Sequence, residues 1–397
     1  MTMLRVAYDI SIPVRFYDSA IQESSGVLRV TEEVLAELSR RSDLAVTAVR
    51  LGQDFQQEDD PLYRALNYWA YVNDHADRFG CRFAPPFGSR LHLLSLYQWV
   101  YQTCFSNTFP QAPWPPRLVF RILRRLLSQL QRVDLYPGFQ PQQFDVYHST
   151  FAKLPPISLT GPVQRVITIY DMIPVLASEF VGDAMKVFFQ TILESIHLER
   201  DWVICISEFT RQQFCQYTGM TSDRVSVSPL AVSSQFQPVT DAQVLSEVRQ
   251  RYGIPDGDYI LSLGTFQPRK NLVTLIRAFD RLQTLAPSLD CPLVLVGAKG
   301  WMYDDIFAAA RASAHLSNRI VFTGHVAETD LSAIYSAASL FVFPSLYEGF
   351  GLPPLEAMQC GVPVIAANTT SIPEVVGDAA LLVDPLNSEE MAQKIAQ

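Results

Sequence analysis

Cysteine is scarce in this chain and badly spaced for chemistry. The six present, Cys81, Cys104, Cys205, Cys215, Cys291 and Cys360, include no C-x-x-C pair among 397 residues. That spacing offers neither a zinc-ligand set nor a disulfide framework, so no metal is expected and the thiols read as those of a reduced, cytoplasmic protein. Charge is also thin. Charged residues amount to 18%, and 31 Lys+Arg against 40 Asp+Glu leave a net charge of −9. A balance of that sign argues against broad nucleic-acid binding, although a local basic patch can survive it. Long apolar runs are missing as well. No stretch reaches the ~18 uninterrupted apolar residues of a membrane-spanning helix. Asp9 follows the first apolar run so closely that Leu4 to Tyr8 reads as a strand rather than a leader peptide.

What the chain does have is apolar bulk. Hydrophobic residues make up 48% of it, enough for a large interior, and the length exceeds one typical core, so two domains are expected. Strand patterns at Leu4–Tyr8, Leu44–Arg50, Asp145–His148, Val163–Tyr170 and Trp202–Ile206 are joined by helical spacing such as Leu28 to Leu38. A second series follows at Tyr259–Leu263, Leu293–Val296, Arg319–Thr323, Leu340–Phe343 and Val362–Ala366. This alternation predicts an α/β protein with parallel sheets. The passage from Val225 to Val239, with Pro229 and Pro238 ahead of a helix at Asp241–Tyr252, reads as the join, giving domains 1–236 and 237–397. Within the first, residues 52–140 are irregular and aromatic-rich, and the proline-rich stretch Phe109 to Pro116 reads as a stiff connector. Beyond it, Arg117 to Arg132 is helical in pattern and carries Arg117, Arg121, Arg124, Arg125 and Arg132 with no acid. It reads either as a core-packed helix with a solvated arginine face or as a peripheral contact with an anionic membrane surface.

Chemistry gathers where the strands end. Pro344 closes the run Leu340 to Phe343, Gly349 and Gly351 flank Phe350 in a tight bend, and Pro353 and Pro354 fit the first turn of a helix. Glu356 then falls in the opening turns of that helix while Glu348 stays in the loop, so the two carboxylates would address different parts of one ligand. Loop N–H groups at a helix start suit phosphate oxygens, and a carboxylate beside them suits a sugar diol; the alternative is an ordinary loop with a capping Glu. The segment Gly264-Thr265-Phe266-Gln267-Pro268-Arg269-Lys270-Asn271 links another strand to a helix with Leu272, Leu275, Ile276 and Phe279 inward. Cations at a helix start oppose its dipole, so Arg269 and Lys270 suit a diphosphate better than idle exposure. His148 and Asp171 stand at strand ends too, and each reads either as a satisfied structural group or as one that meets a hydroxyl. Gly26 sits in the turn before the first helix, as a plain helix entry or a phosphate approach. Gly297 with Gly300-Trp301, and Gly324-His325-Val326, occupy two further strand ends.

The string Ser345-Leu346-Tyr347-Glu348-Gly349-Phe350-Gly351-Leu352-Pro353-Pro354-Leu355-Glu356-Ala357-Met358 closely resembles the signature of family 4 of the retaining glycosyltransferases, whose mark is two Glu separated by seven residues. The resemblance covers the second domain strongly and the first patchily. It implies the GT-B architecture, two Rossmann-like, doubly wound parallel-sheet domains facing across a cleft. It further implies transfer of a sugar from a nucleotide-diphosphate donor, a GDP- or UDP-sugar of the mannose type, to a hydroxyl of a glycan or lipid-linked acceptor, with retained configuration and no resident cofactor.

By position, the resemblance sets Glu348 against the donor sugar, Gly349, Phe350, Gly351 and Leu352 against sugar and diphosphate, and Glu356 on the ribose. Lys270 matches the family's diphosphate lysine. Thr265 stands where an arginine is often found, leaving Arg269 as the candidate replacement. Gly264, Thr265 and Gly297 complete the donor side, Gly26 lies near the diphosphate, and His325-Val326 pass the base. Thr168 to Pro174 looks like the loop in which the family carries a His-Asp pair; Asp171 keeps its place, but Tyr170 stands at the His position, so His148 is the candidate imidazole. A sugar-nucleotide epimerase of the same fold and a non-catalytic nucleotide-sugar-binding subunit are the alternatives. Further helices would follow in the family beyond the point at which this sequence reaches Gln397.

Overall fold

A computed structural model describes residues 3–11, 13, 26–50, 68, 71–72, 75, 77–84, 139–312, 316 and 318–397. The expected connector at 109–116, the arginine-bearing helix at 117–132 and most of the irregular stretch 52–140 lie outside the described residues. So does Cys104.

The chain begins with β1 (Leu4–Asp9), α1 (Gly26–Arg40), β2 (Leu44–Val49) and a short β3 (Arg82–Phe83). Next come β4 (Val146–Ser149), α2 (Ile157–Thr160), β5 (Gln164–Ile169), α3 (Ile173–Leu176), α4 (Asp183–Glu194), β6 (Trp202–Cys205), α5 (Glu208–Thr218) and β7 (Val225–Val227). These strands form a seven-stranded sheet in the order β3-β2-β1-β4-β5-β6-β7. β1 runs parallel to both neighbours, with Val6 opposite Val46 and Tyr8 opposite His148. The sequence order turns back on itself between β1 and β4. α1 forms where the apolar spacing predicts it and buries Thr31, Leu35 and Ala36. Val225–Val227, expected as part of a connector, instead supplies the last strand of this sheet. Three residues of alternating burial ahead of Pro229 are too short a run to announce a strand.

The remainder reads α6 (Ala242–Tyr252), β8 (Ile260–Leu263), α7 (Leu272–Leu285), β9 (Leu293–Val296), α8 (Asp304–Arg311), β10 (Ile320–Gly324), α9 (Glu328–Ser336), β11 (Leu340–Phe343), α10 (Leu352–Gln359), β12 (Val364–Ala367), α11 (Ile372–Val376), β13 (Leu381–Val383) and α12 (Ser388–Ile395). Its six strands lie in the order β10-β9-β8-β11-β12-β13, and the pairs flanking β8 and β11 are parallel. Successive side chains of a strand point to opposite faces, and both faces here are covered. Leu261, Val294, Val296, Phe341 and Phe343 pack with Phe236, Ile334 and Tyr335 on one side. Ile260, Leu293, Leu295, Val342 and Ile365 pack with α7 and α12 on the other. Leu272, Leu275, Ile276 and Phe279 of α7 are all buried, as their spacing requires. Such two-sided burial explains why these strands read as continuous apolar runs.

By contacts the chain divides into two compact units, Met1–Ile169 with Val187–Ile204, and Tyr170–Lys186 with Cys205–Gln397. Among the described residues, no helix is long and apolar enough to cross a membrane.

Candidate functional site

In the second unit the sheet order reverses direction between β8 and β11. β9 and β10 continue to one side of β8, and β12 and β13 to the other side of β11. Connections leaving the carboxyl ends of two such strands part company and leave a crevice, the usual ligand position in open α/β sheets. The loop after β8 carries Arg269 and Lys270, and the loop after β11 carries Glu348.

Glycines let these strand ends approach. A Cβ on Gly297, just past β9, would lie 2.1 Å from the Gly264 carbonyl oxygen, just past β8. Backbone pairing continues beyond the strands, with Phe266 N–H on the Ala298 carbonyl (2.9 Å) and Gly300 N–H on the Phe266 carbonyl (3.0 Å). After a short 3-10 turn over Pro268–Lys270, Asn271 takes a left-handed conformation, φ 55° and ψ 34°, which Asn tolerates better than most residues. Its amide donates to the carbonyls of Pro344 (3.1 Å) and Pro385 (2.7 Å) and accepts from the Thr274 hydroxyl (2.6 Å). Leu346 N–H donates to the Arg269 carbonyl at 2.8 Å. The cation loop is thereby fastened to the end of β11.

Three charges converge there. Lys270 Nζ lies 2.6 Å from Glu348 Oε1, and Arg269 Nη1 lies 2.6 Å from Glu348 Oε2. Arg269 also donates to the Tyr347 carbonyl at 2.6 Å, and Ser345 Oγ donates to Glu348 Oε1 at 2.6 Å. The three charged side chains are only 12–14% exposed. Burial alone would push the Glu348 carboxyl up, but the neighbouring guanidinium and ammonium hold it down at about 2. Lys270 Nζ also sits 4.9 Å from the centre of the Phe343 ring, a favourable position for a cation.

The glutamate loop is fixed from behind. Glu348 N–H donates to Thr370 Oγ1 (3.1 Å), and Ser371 Oγ reaches the carbonyls of Glu348 (2.9 Å) and Phe350 (2.8 Å). Gly349 runs against the backbone of residues 170–171: a Cβ there would be 2.0 Å from the Tyr170 carbonyl oxygen and 2.7 Å from Asp171 Cβ. Its carbonyl accepts from Ser207 Oγ (2.7 Å) and Thr210 Oγ1 (3.2 Å). Ser207 is the N-cap of α5, as its position suggests, and accepts from Thr210 N–H. Gly351, with φ 126°, immediately precedes α10, whose Pro353 and Pro354 occupy the first turn. Glu356 follows on α10 and is 2% exposed, accepting from the Tyr335 hydroxyl of α9 at 2.9 Å.

Two profiles of known families match the chain. One, described as Glycosyltransferase Family 4, matches residues 24–236, and the other, Glycosyl transferases group 1, matches residues 246–397. The chain belongs to glycosyltransferase family 4. Among its relatives is the O-antigen chain mannosyltransferase B of Escherichia coli, 33% identical over 282 residues that cover 70% of this chain and 73% of that protein. A GDP-mannose-dependent alpha-(1-6)-phosphatidylinositol monomannoside mannosyltransferase of Mycobacterium tuberculosis is 26% identical over 78% of this chain and 81% of its own. The serotype-specific mannosyltransferase WbdA of Escherichia coli is 33% identical over 58% of this chain, but the match spans only 28% of WbdA. Among solved structures, a glycosyltransferase from Rickettsia africae superposes with a TM-score of 0.61 at 15% identity, covering 100% of this chain and 88% of that one. Anabaena Alr3699/HepE in complex with UDP and glucose superposes with a TM-score of 0.58 at 18% identity, over 99% and 89%. The fold is GT-B.

The glycosyltransferase brings Glu348, Arg269 and Lys270 into direct contact, with Gly264, Thr265, Gly297, Gly349, Phe350, Gly351, Leu352 and Glu356 in the same unit. Asp171 also belongs to this unit; it accepts from Ile173 N–H at 2.9 Å, and burial pushes its carboxyl up against the opposing pull of Arg269. His325 is exposed just beyond β10, and Val326 beside it is buried.

His148 lies in the first unit, on β4. Its Nε2 sits 2.8 Å from Thr168 Oγ1, and its ring meets Tyr8 edge-on at 5.3 Å. Burial pushes its pKa down to about 4, so it is neutral near pH 7. Gly26 is the first residue of α1. The residues that brace the site, Ser345, Thr370, Ser371, Asn271 and Tyr335, were not expected from sequence. Short polar residues just past strand ends are common, and only Asn271, directly before an apolar helix, and Ser371, in Ser371-Ile372-Pro373-Glu374 ahead of α11, carried a capping signal. Gln267 Oε1 and the Tyr347 hydroxyl are buried without a hydrogen-bond partner, which makes them further candidates to meet a ligand's polar groups.

Proposed function

We propose that the protein is a retaining hexosyltransferase that moves mannose from a nucleotide-diphosphate donor, GDP-mannose first among the candidates, to a hydroxyl of a glycan or lipid-linked acceptor in envelope polysaccharide synthesis. The observation that carries this reading is the convergence of Arg269, Lys270 and Glu348 where β8 and β11 diverge. The mannosyl specificity rests on the names of the relatives.

Departure of a nucleoside diphosphate places new negative charge on its terminal phosphate oxygens. Arg269 and Lys270 stand where they can meet that charge, on a loop whose backbone is fastened by Asn271 and Leu346. Arg269 would grip two oxygens through its fork and Lys270 would act as a point charge. Glu348, held ionised, would accept hydrogen bonds from donor-sugar hydroxyls, and Glu356, oriented by Tyr335, would accept from the ribose diol. In a front-face route the acceptor hydroxyl attacks from the side on which the diphosphate leaves. A departing oxygen takes its proton, and the configuration is retained. These cations supply the positive charge the leaving diphosphate needs, so the proposed route calls on neither a metal nor a resident cofactor.

Thermal unfolding against GDP-, UDP- and dTDP-sugars tests the donor. A ligand at about 100 times its Kd adds ~2.7 kcal/mol of stability, and GDP-mannose is expected to give the largest rise in Tm. NMR of the product from the preferred donor then reports the anomeric configuration. Stabilisation by none of these nucleotides, or an inverted product, refutes the proposal. Equal turnover by Lys270→Ala would refute the site.

A further inference from the structure

The two cations suited to a diphosphate are both paired with a single carboxylate. Glu348 gives one oxygen to Lys270 and the other to Arg269, each at 2.6 Å. The carboxylate is the fixed partner of the three. Ser345 holds its side chain, Thr370 its N–H and Ser371 its carbonyl. Arg269 and Lys270 come from the opposite loop on long side chains; Arg269 keeps a second anchor on the Tyr347 carbonyl and Lys270 rests on the Phe343 ring, so each can change its anionic partner while its stem stays in place.

Resting on the donor-site reading above, we infer that Glu348 is an internal anion that occupies Arg269 and Lys270 until a donor diphosphate takes them over, and that this exchange frees its carboxylate for the donor sugar. A nucleoside diphosphate without a sugar strips the cations from Glu348 and gives the carboxylate nothing in return. A complete donor strips the same cations but offers sugar hydroxyls in their place. A buried carboxylate left with only the Ser345 hydroxyl is costly, so the triad favours the donor over the nucleoside diphosphate that remains after transfer. Glu348 thereby acts in selecting the substrate and in releasing the product, in addition to orienting the sugar.

The test is calorimetric titration of the full chain with GDP, GDP-mannose, UDP and UDP-glucose at fixed ionic strength, using wild type, Glu348→Gln, Glu348→Asp and Lys270→Ala. In Glu348→Gln the preferred nucleoside diphosphate is expected to bind at least about tenfold tighter, since a charge-assisted competitor is gone. Its sugar nucleotide should gain less, so the preference for the donor shrinks. Glu348→Asp keeps a charge for the cations, which guards against misfolding, but withdraws it by one methylene; the same trend at smaller size is expected. Nucleoside diphosphate binding no tighter in either Glu348 variant overturns the inference, even if Lys270→Ala weakens both ligands and the donor site stands. Binding unaffected by Lys270→Ala overturns the donor site itself and the inference with it.

Discussion

Replacing Gly349 by Ala adds one methyl group at the place where the glutamate loop meets the backbone of residues 170–171. The new Cβ would lie 2.0 Å from the Tyr170 carbonyl oxygen, 2.7 Å from Asp171 Cβ and 3.0 Å from the Tyr170 carbonyl carbon. Ordinary contact begins at 3.4 Å, so one backbone must retreat by more than about 1 Å. Neither is free to do so. The Gly349 carbonyl is held by Ser207 and Thr210, the peptides on either side by Thr370 and Ser371, and Asp171 by the N–H of Ile173. Overpacking a well-packed site costs about 1–3 kcal/mol when side chains can adjust; with backbone on both sides, a loss at or above ~3 kcal/mol is expected. Displacing Glu348 by the same distance would lower turnover by about two orders of magnitude. Urea unfolding and steady-state kinetics of Gly349→Ala, beside Gly182→Ala as a control, measure both. Gly182 has open space around its would-be Cβ and stands at the N-cap of α4, so its variant should cost no more than about 1 kcal/mol. A Gly349→Ala protein within 1 kcal/mol of wild type, with ordinary turnover, would refute the claim that this contact fixes the loop.

Tyr335→Phe removes the hydroxyl that Glu356 accepts from; a loss of about 1.5–3 kcal/mol in stability is expected for a bond to a charged group. If Glu356 holds the unreacting ribose, the donor KM should rise with kcat little changed. Asp201→Asn breaks the buried pair with Arg165, whose Nε lies 2.8 Å from Asp201 Oδ1, and should cost about 3–5 kcal/mol by leaving the guanidinium uncompensated, read by chemical denaturation. His148 gives a pH dependence of definite sign. Its folded pKa of about 4 lies below its ordinary 6.5, so between those values the unfolded chain binds the extra proton. Stability carries no His148 penalty above pH 6.5, falls as pH drops toward 4, and levels off below, a loss of about 3 kcal/mol in all. Unfolding curves at pH 7 and pH 4 for wild type and His148→Gln should show the drop shrinking in the variant.

Ten of the thirteen described strands were legible, most clearly where burial on two faces writes unbroken apolar runs, as in Leu293–Val296 and Leu340–Phe343, whereas β3, β7 and β13 were not. The meeting of Arg269, Lys270 and Glu348 was legible only as a likeness to a family, since 78 residues separate Lys270 from Glu348 and nothing local announces their pairing. β7 was missed because its three residues sit directly before a proline passage. The bracing hydroxyls escaped for a different reason. Ser345, Thr370 and Ser371 act by holding backbone groups and one carboxylate in place, a role set by three-dimensional neighbours rather than by spacing. His148 could be placed on a strand from its surroundings, but its partner Thr168 comes from the adjacent strand, two residues beyond Val166, the residue directly opposite His148.

The same separation in sequence bears on how the site can be tuned. Each loop is held by atoms of the other: the Arg269 carbonyl by Leu346 N–H, the Asn271 amide by the Pro344 carbonyl, and the Glu348 carboxylate by the two cations. A displacement of either loop therefore moves both charges together and preserves their distance. Substitutions that loosen a brace should then change the position of the triad relative to a ligand before they change the triad itself. Ser345 is the exception, because its hydroxyl touches the carboxylate directly and lies 3.1 Å from the Arg269 carbonyl. It joins the orientation of Glu348 to the placement of the loop that carries its counter-charges.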